Sequence, residues 1–351
     1  DKVKVFKLED IPSKTKFSVV IPFRNEVKNL TGLLQSIEAL NYPKDLFEVI
    51  LIDDASEDNS KEIIKMFLNK SRKSIRLISN ERQTDSPKKD AITSGIAKSK
   101  NDWIITTDAD CILPKYWLDS FDEYIHYSSA ACIAAPVTYR NENTFLNRFQ
   151  ILDILSLQGA TVGGFGINKP FMCNGANFAY KKALFKELEG FEGNTKIASG
   201  DDIFLLEKIV KAYPKQVHYL KCNHAMITTE SEPTWNKLVS QRMRWASKTS
   251  AYKHWFGKAT GGIVLLMNGF LISALLLSFI GYFSLKALLY ILIIKFSIDF
   301  LLIYKSAMFF NQRGSLKMYP LGFLIYPFFS AYVALKSLFK GYTWKERSFR
   351  R

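Results

Sequence analysis

Two carboxylates separated by one small residue close an apolar run, Ile104-Ile105-Thr106-Thr107-Asp108-Ala109-Asp110-Cys111. Carboxylates this close resist joint ionisation unless a cation stands beside them. At the end of a strand, where the chain turns, both can reach one edge of a metal ion. An all-oxygen donor set suits Mg²⁺ or Mn²⁺, completed by waters and substrate phosphates. The plain alternative is a solvated Asp-Ala-Asp turn. An EF-hand is disfavoured, because Cys111-Ile112-Leu113-Pro114 follows where a calcium loop needs further oxygen ligands and a glycine. A second acidic cluster, Asp53-Asp54, could accept hydrogen bonds from a nucleobase or ribose, or serve as turn and capping chemistry.

The elements that must position these acids follow from hydrophobic spacing. Phe17-Ser18-Val19-Val20-Ile21 reads as a buried strand closed by Pro22 and followed by Arg24-Asn25-Glu26. Residues 29–40 place Leu30, Leu33, Leu34, Ile37 and Leu40 at helical spacing. A second strand over 47–52 ends at Asp53, a helix covers 60–68, and a short strand covers 75–78. Strand, helix, strand, helix with short links predicts a doubly wound parallel sheet, whose ligands sit beyond the carboxyl ends of the strands. All three polar clusters lie at such ends. No GxGxxG follows the first strand and no GxxxxGK occurs, so a dinucleotide Rossmann domain or a P-loop enzyme is unlikely.

Beyond about residue 255 the composition changes. Residues 261–283 hold no charge, which is long enough to span a hydrocarbon core of roughly 30 Å. Residues 287–310 carry Lys295 and Asp299 at i and i+4, placed to neutralise each other. Residues 318–335 hold Pro320 and Pro327, consistent with a kinked, re-entrant or interfacial segment as well as a span. The formal charge of +15 is spread along the chain and is explained by a membrane surface rather than nucleic acid. Lys248, Lys253 and Lys258 precede the first apolar run, and Lys336, Lys340, Lys345, Arg347, Arg350 and Arg351 follow the last. Both groups favour the cytoplasmic side, which three full crossings would not allow, so one apolar segment is expected not to cross. Cys111, Cys132, Cys173 and Cys222 show no paired spacing and fit reduced thiols facing the cytosol. No signal peptide is visible, and an upstream membrane segment remains open because residue 1 is Asp.

Taken in order, these residues resemble a known family. Ser18-Val19-Val20-Ile21-Pro22-Phe23-Arg24-Asn25-Glu26, Leu51-Ile52-Asp53-Asp54-Ala55-Ser56 and Asp108-Ala109-Asp110 are similar to the nucleotide-sugar half of the inverting family 2 glycosyltransferases, with the GT-A fold. Lys88-Lys89-Asp90-Ala91-Ile92 resembles that family's Gly-Lys-x-x-Ala-Leu element, with Pro87 in place of the glycine. Asn174-Gly175-Ala176-Asn177 resembles the stretch lining the acceptor side, and Gly200-Asp201-Asp202 stands where the family keeps its acidic base motif. Gln241-Arg242-Met243-Arg244-Trp245 matches the Gln-x-x-Arg-Trp signature of membrane-bound members. The resemblance covers roughly residues 17–250.

The resemblance implies roles that agree with the chemistry of sugar transfer, which needs a bridge across the phosphates and a base for the attacking hydroxyl. Asp110, with Asp108, would hold a divalent metal, Mg or Mn. Pro22, Arg24, Asn25, Glu26, Asp53, Asp54, Lys88 and Asp108 would line the donor. Asp202 would be the base, supported by Asp201, the alternative being a helix N-cap. Gly175, Asn177, Gln241, Arg244 and Trp245 would meet the acceptor or the diphosphate. The last three share one face of a helix expected to start near Pro233, where Trp245 and Arg244 could instead anchor the membrane surface. His218 and His224 read as structural, and 159–166 (GATVGGFG) as a flexible loop.

The expectation is therefore an α/β chain. A polar lead over 1–16 and a GT-A domain over 17–250, with a Rossmann-like, mostly parallel sheet flanked by helices, precede a C-terminal α-helical transmembrane region over 251–351. It would be a multi-pass membrane enzyme with a cytoplasmic catalytic domain. Its partners would be a nucleotide-sugar donor, a lipid-linked or glycan acceptor and membrane lipids, with no nucleic acid. The alternatives are a processive polysaccharide synthase and a non-catalytic membrane-anchored scaffold.

Overall fold

A computed structural model describes residues 2–248, 251–339, 341–344 and 347–349. Of the basic tail, Lys340, Lys345, Arg350 and Arg351 lie outside the described residues. The chain forms two compact units, one made of Asp1–Thr138 with Thr161–Glu230, the other of Tyr139–Ala160 with Ser231–Arg351.

The first half of the first unit alternates strand and helix as its spacing predicts: β1 (Phe17–Phe23), α1 (Leu30–Glu38), β2 (Phe47–Asp53), α2 (Ser60–Leu68), β3 (Ile75–Ser79), α3 (Pro87–Lys98) and β4 (Trp103–Thr106). There follow β5 (Cys111–Ile112), α4 (Trp117–His126), β6 (Cys132–Ala134), β7 (Val137–Tyr139), α5 (Phe145–Gly166), β8 (Phe178–Lys181), α6 (Lys182–Glu187), α7 (Asp201–Ala212), β9 (Val217–Tyr219) and β10 (Ile227–Thr229). Seven strands form one sheet in the order β3-β2-β1-β4-β8-β6-β9. β3, β2, β1 and β4 are parallel, β8 runs antiparallel to both neighbours, and β6 pairs β9 in parallel. A small sheet, β5-β10-β7, stands apart.

The near-continuous apolar strands reflect burial on both faces. Alternate residues of β1 enter different cores: Val19 and Ile21 join the cluster with Leu33, Ile37 and Phe121, while Val20 joins Ile92, Ile96 and Leu205. Register then sets the site. Phe23 pairs with Asp53, and Val20 with Thr106, so β1, β2 and β4 finish at one edge.

In the second unit, α8 (Trp235–Ser247) begins behind the side-chain cap of Thr234, one residue past the expected Pro233. Three apolar helices follow, α9 (Trp255–Phe279), α10 (Leu285–Phe309) and α11 (Tyr319–Phe339), each long and apolar enough to cross a membrane. Lys295 and Asp299 form the expected ion pair within α10. β11 (Tyr342–Trp344) and β12 (Arg347–Phe349) close the chain as a hairpin.

One expectation fails. Residues 159–166 are not a loop but the last turns of α5. Glycine costs helix stability only when nothing offsets it, and here the missing side chains permit close contacts. A Cβ at Gly159 would lie 2.6 Å from Ser306 Oγ, and one at Gly164 would lie 2.7 Å from the Phe171 ring.

Candidate active site

The Asp-Ala-Asp stretch leaves β4 at Thr106 and turns, the Cys111 amide bonding back to the Asp108 carbonyl at 3.2 Å. Asp108 is 34 % exposed, so its carboxylate faces open space. Lys88, in the first turn of α3, places Nζ 2.7 Å from Asp108 Oδ1 and 3.3 Å from Asp201 Oδ2. Burial alone would lower the Lys88 pKa, but Asp108 and Asp201 reverse that and raise it well above the usual lysine range. The ammonium thus stays charged and joins two acids that lie far apart in sequence.

Asp201 and Asp202 occupy the first turn of α7, where the helix dipole favours negative charge. Gly200 precedes them at φ +86°, a conformation that favours glycine, and the N-cap uses no side chain. Asp201 is buried and paired to Lys88; Asp202 is the more exposed, accepting from the Gly175 amide at 3.2 Å and from the Ile203 amide at 2.8 Å. A Cβ on Gly175 would come within 3.0 Å of Asp201 Oδ2, so glycine lets this backbone approach the acids. Thr106 Oγ1 in turn donates to the Gly175 carbonyl at 2.9 Å, fixing the acidic pair's floor to β4.

The ends of β1 and β2 form a second cluster. Asp54 accepts from Asn80 Nδ2 at 2.8 Å and from Arg82 Nε at 2.7 Å. Asp53 caps the following turn through the Ser56 amide and meets Lys61 at 3.6 Å. Arg24 is spent on the chain itself, donating to the Asp54 and Ala55 carbonyls and pairing with Glu57. Asn25, at φ +52°, bonds Ser56 and Glu57 through its amide and Oδ1, and the Glu26 carboxylate accepts from Asn29. Pro22, expected to close the first strand, lies inside β1, partly exposed, and the strand runs on to Phe23. Arg24, Asn25 and Glu26 thus shape the loop that carries Asp53 and Asp54. Beside Arg82 opens a cleft of about 380 Å³, lined by Arg82, Gln83, Thr84, Asp85, Thr195 and Lys196.

Asn177 corrects the sequence reading. It is fully buried, its Nδ2 donating to the Pro136 and Ala225 carbonyls at 2.8 and 2.7 Å and its Oδ1 accepting from Trp117 Nε1 at 3.0 Å. An amide enclosed and engaged in this way knits three loops together and cannot meet an acceptor.

Sequence reasoning missed Arg82, because a lone cation in a loop gives no signal. It also missed Lys89, whose buried Nζ donates to the Asn194 and Ile197 carbonyls at 2.7 and 2.8 Å and so ties the loop before Asp201 to α3. Asp90 holds the 83–84 amides in the same way.

Gln241, Arg244 and Trp245 belong to the second unit. Gln241 donates to Glu232 at 2.9 Å. The buried member of this segment is Arg242, which pairs with Asp153 at 2.7 Å and stacks 4.2 Å from the Trp245 ring. Burial works against its charge, but Asp153 and Tyr139 raise its pKa further.

Residues 18–189 match the model of glycosyl transferase family 2. The chain belongs to that family. It is 29 % identical over 244 residues to a probable glycosyltransferase, YdaM, of Bacillus subtilis, covering 68 % of this chain and 56 % of that one. It is 24 % identical over 197 residues to the glycosyltransferase AglE of Haloferax volcanii, covering 56 % of this chain and 61 % of AglE. This family 2 chain thus spans less than two thirds of either relative's length. Among solved structures it shares its fold with the mannosyltransferase PcManGT of Pyrobaculum calidifontis in complex with GDP-Man and Mn²⁺. The TM-score there is 0.55 at 15 % identity, over 95 % of this chain and 91 % of the other.

Proposed function

We propose that this chain transfers a sugar, with inversion, from a nucleotide-sugar donor to a hydroxyl of a lipid-linked or glycan acceptor. The observation that carries this reading is the convergence of Asp108, Lys88, Asp201, Asp202 and the Gly175 amide at one strand edge. Asp108, Asp201 and Asp202 all face the one ammonium of Lys88. Asp108 and Asp110 offer hard oxygen donors of the kind a Mg²⁺ or Mn²⁺ ion takes; among the described residues no three such side chains gather into a ligand set, so water and the diphosphate would complete the coordination. Such a metal, when bound, supplies neutralisation of the diphosphate.

The protein's own residues do the rest. Asp53 and Asp54 mark the end of the site for the base and ribose, with Arg82 beside the cleft. Lys88 stands against Asp108, where it steadies the diphosphate side, and pairs with Asp201. Asp201 is committed to that pair, leaving Asp202 to take the proton from the acceptor hydroxyl. Gln241, Arg244 and Trp245 serve the acceptor or the diphosphate. With α9 and α10 as anchors, the enzyme works at a membrane, its transferase unit on the cytoplasmic side.

The test is nucleoside diphosphate release from a panel of nucleotide sugars, with and without Mn²⁺. Metal-dependent release with one donor supports the reading. Intact metal-free binding and no release with any donor, in the presence of acceptor lipids, would favour a scaffold.

A further inference from the structure

Among the described residues three helices have the length and apolarity to cross a membrane, yet their contacts set one apart. α9 and α10 form a hairpin joined at 280–284, where Gly281 takes φ +84°. α11 touches both arms. Tyr319 donates Oη to the Phe296 carbonyl at 2.9 Å, with their rings 4.8 Å apart, and the Phe323 ring lies 5.2 Å from Phe296. Farther along α11, Ser330 Oγ accepts from Asn268 Nδ2 at 2.9 Å.

These contacts lie at one level. Phe296 follows the start of α10 by about 11 residues, and Asn268 precedes the end of α9 by about 11 residues, which is roughly 17 Å from the tip on each arm. From Tyr319 to Ser330, α11 itself advances roughly 16 Å. A third crossing helix would turn most of that advance into depth. α11 instead meets Phe296 on one arm and Asn268 on the other at similar distances from the tip.

The neighbours of α11 indicate which level this is. Phe329, near its middle, lies 6.3 Å from Trp235 of α8, and Tyr326 lies beside Asp153 of the Arg242 ion pair. α8 also carries Lys237, Gln241 and Arg244, residues that belong at a membrane surface and not at the hydrocarbon centre. Exposure agrees. Leu321, Leu324, Phe328, Tyr332, Leu335 and Leu338 are exposed at spacings of three and four, while Tyr319, Gly322, Pro327 and Val333 are buried. That is a one-sided helix, the pattern of an interfacial element. α9, by contrast, exposes four consecutive residues, Ile263, Val264, Leu265 and Leu266, which point around the whole helix.

We propose that α11 docks in the plane of one leaflet, its exposed stripe against acyl chains, and that only α9 and α10 cross the bilayer. Arg313 and Lys317 before α11 and Lys336 near its end then lie in one layer of anionic headgroups. The chain after α11 emerges on the side from which α9 enters. The lysines before α9 and the basic tail then share that side, as the distribution of positive charge requires.

The experiment uses the full chain in sealed vesicles of known orientation, probed with a membrane-impermeant maleimide. The four native cysteines are buried, so single cysteines report cleanly. Lys65→Cys marks the transferase unit, Tyr282→Cys the hairpin tip and Gly341→Cys the chain beyond α11. The expected result is labelling of Lys65→Cys and Gly341→Cys from one side and of Tyr282→Cys from the other. Labelling of Gly341→Cys together with Tyr282→Cys would overturn the proposal in favour of three crossings. Labelling of all three from one side would overturn it too, since the hairpin would not cross.

Discussion

Each compact unit contains a cation held by aspartate, and the two are built in opposite senses. In the second unit Arg242 and Asp153 are 7 % and 5 % exposed, one charge against one, with Tyr139 and Tyr326 beside them. In the first unit a single lysine meets Asp108 and Asp201, with Asp202 close by, and Asp108 is 34 % exposed. A closed, neutral pair holds helices together. The open cluster instead gathers three acids about one lysine and leaves Asp108 facing solvent. The comparison separates a staple from a site, although both involve the same residue types.

The largest effect should come from the open cluster. Asp202→Asn should lower sugar transfer roughly 10³-fold, within the range of general-base removal, with an unchanged thermal midpoint. Normal turnover of donor by that variant would remove Asp202 from its role. Next is the closed pair: Asp153→Leu should cost about 3–5 kcal/mol of stability by stranding buried Arg242. Asp108→Asn, at the open site, should cost no more than about 1 kcal/mol. Denaturant midpoints compare them, and equal losses would break the distinction. The double variant Asp153→Leu with Arg242→Met should recover most of the loss.

A smaller effect separates binding from folding. Asp110→Asn should weaken Mn²⁺-dependent nucleotide binding by at least about tenfold, read by titration calorimetry, without moving the denaturant midpoint. The pH response of Lys88 is smaller still. Because its folded pKa is raised, the stability it contributes is fully present below the unfolded lysine value of about 10.4 and is lost only as pH climbs through the higher folded value. The stability difference between the parent protein and Lys88→Met should therefore be flat from about pH 6 to about pH 9. Least of all, Glu57→Gln should change stability by about 0.5 kcal/mol or less, since Glu57 is 73 % exposed in its pair with Arg24.

Much of this was legible before any coordinates. The strands over 17–21, 47–52 and 75–78 and the helix over 60–68 follow from apolar spacing, because burial on a two-faced sheet or one helix face writes directly into local sequence. Residues 159–166 did not read correctly, since glycines that suggest a loop also permit helix contact with Ser306 and Phe171. Asn177 misled for a related reason: a polar residue in a motif looks the same whether it meets a ligand or satisfies three buried loops.

By itself, then, the sequence determined the alternation of strands and helices, the acids at the strand ends and the presence of a long apolar C-terminal region. These depend on periodicity and composition, which are local. Only the tertiary structure decided that Lys88 bridges Asp108 to Asp201, that Arg242 rather than Arg244 is the buried arginine of its helix, and that α11 touches both arms of the α9–α10 hairpin. Each of those depends on contacts between residues far apart in the chain, whose geometry no local pattern encodes.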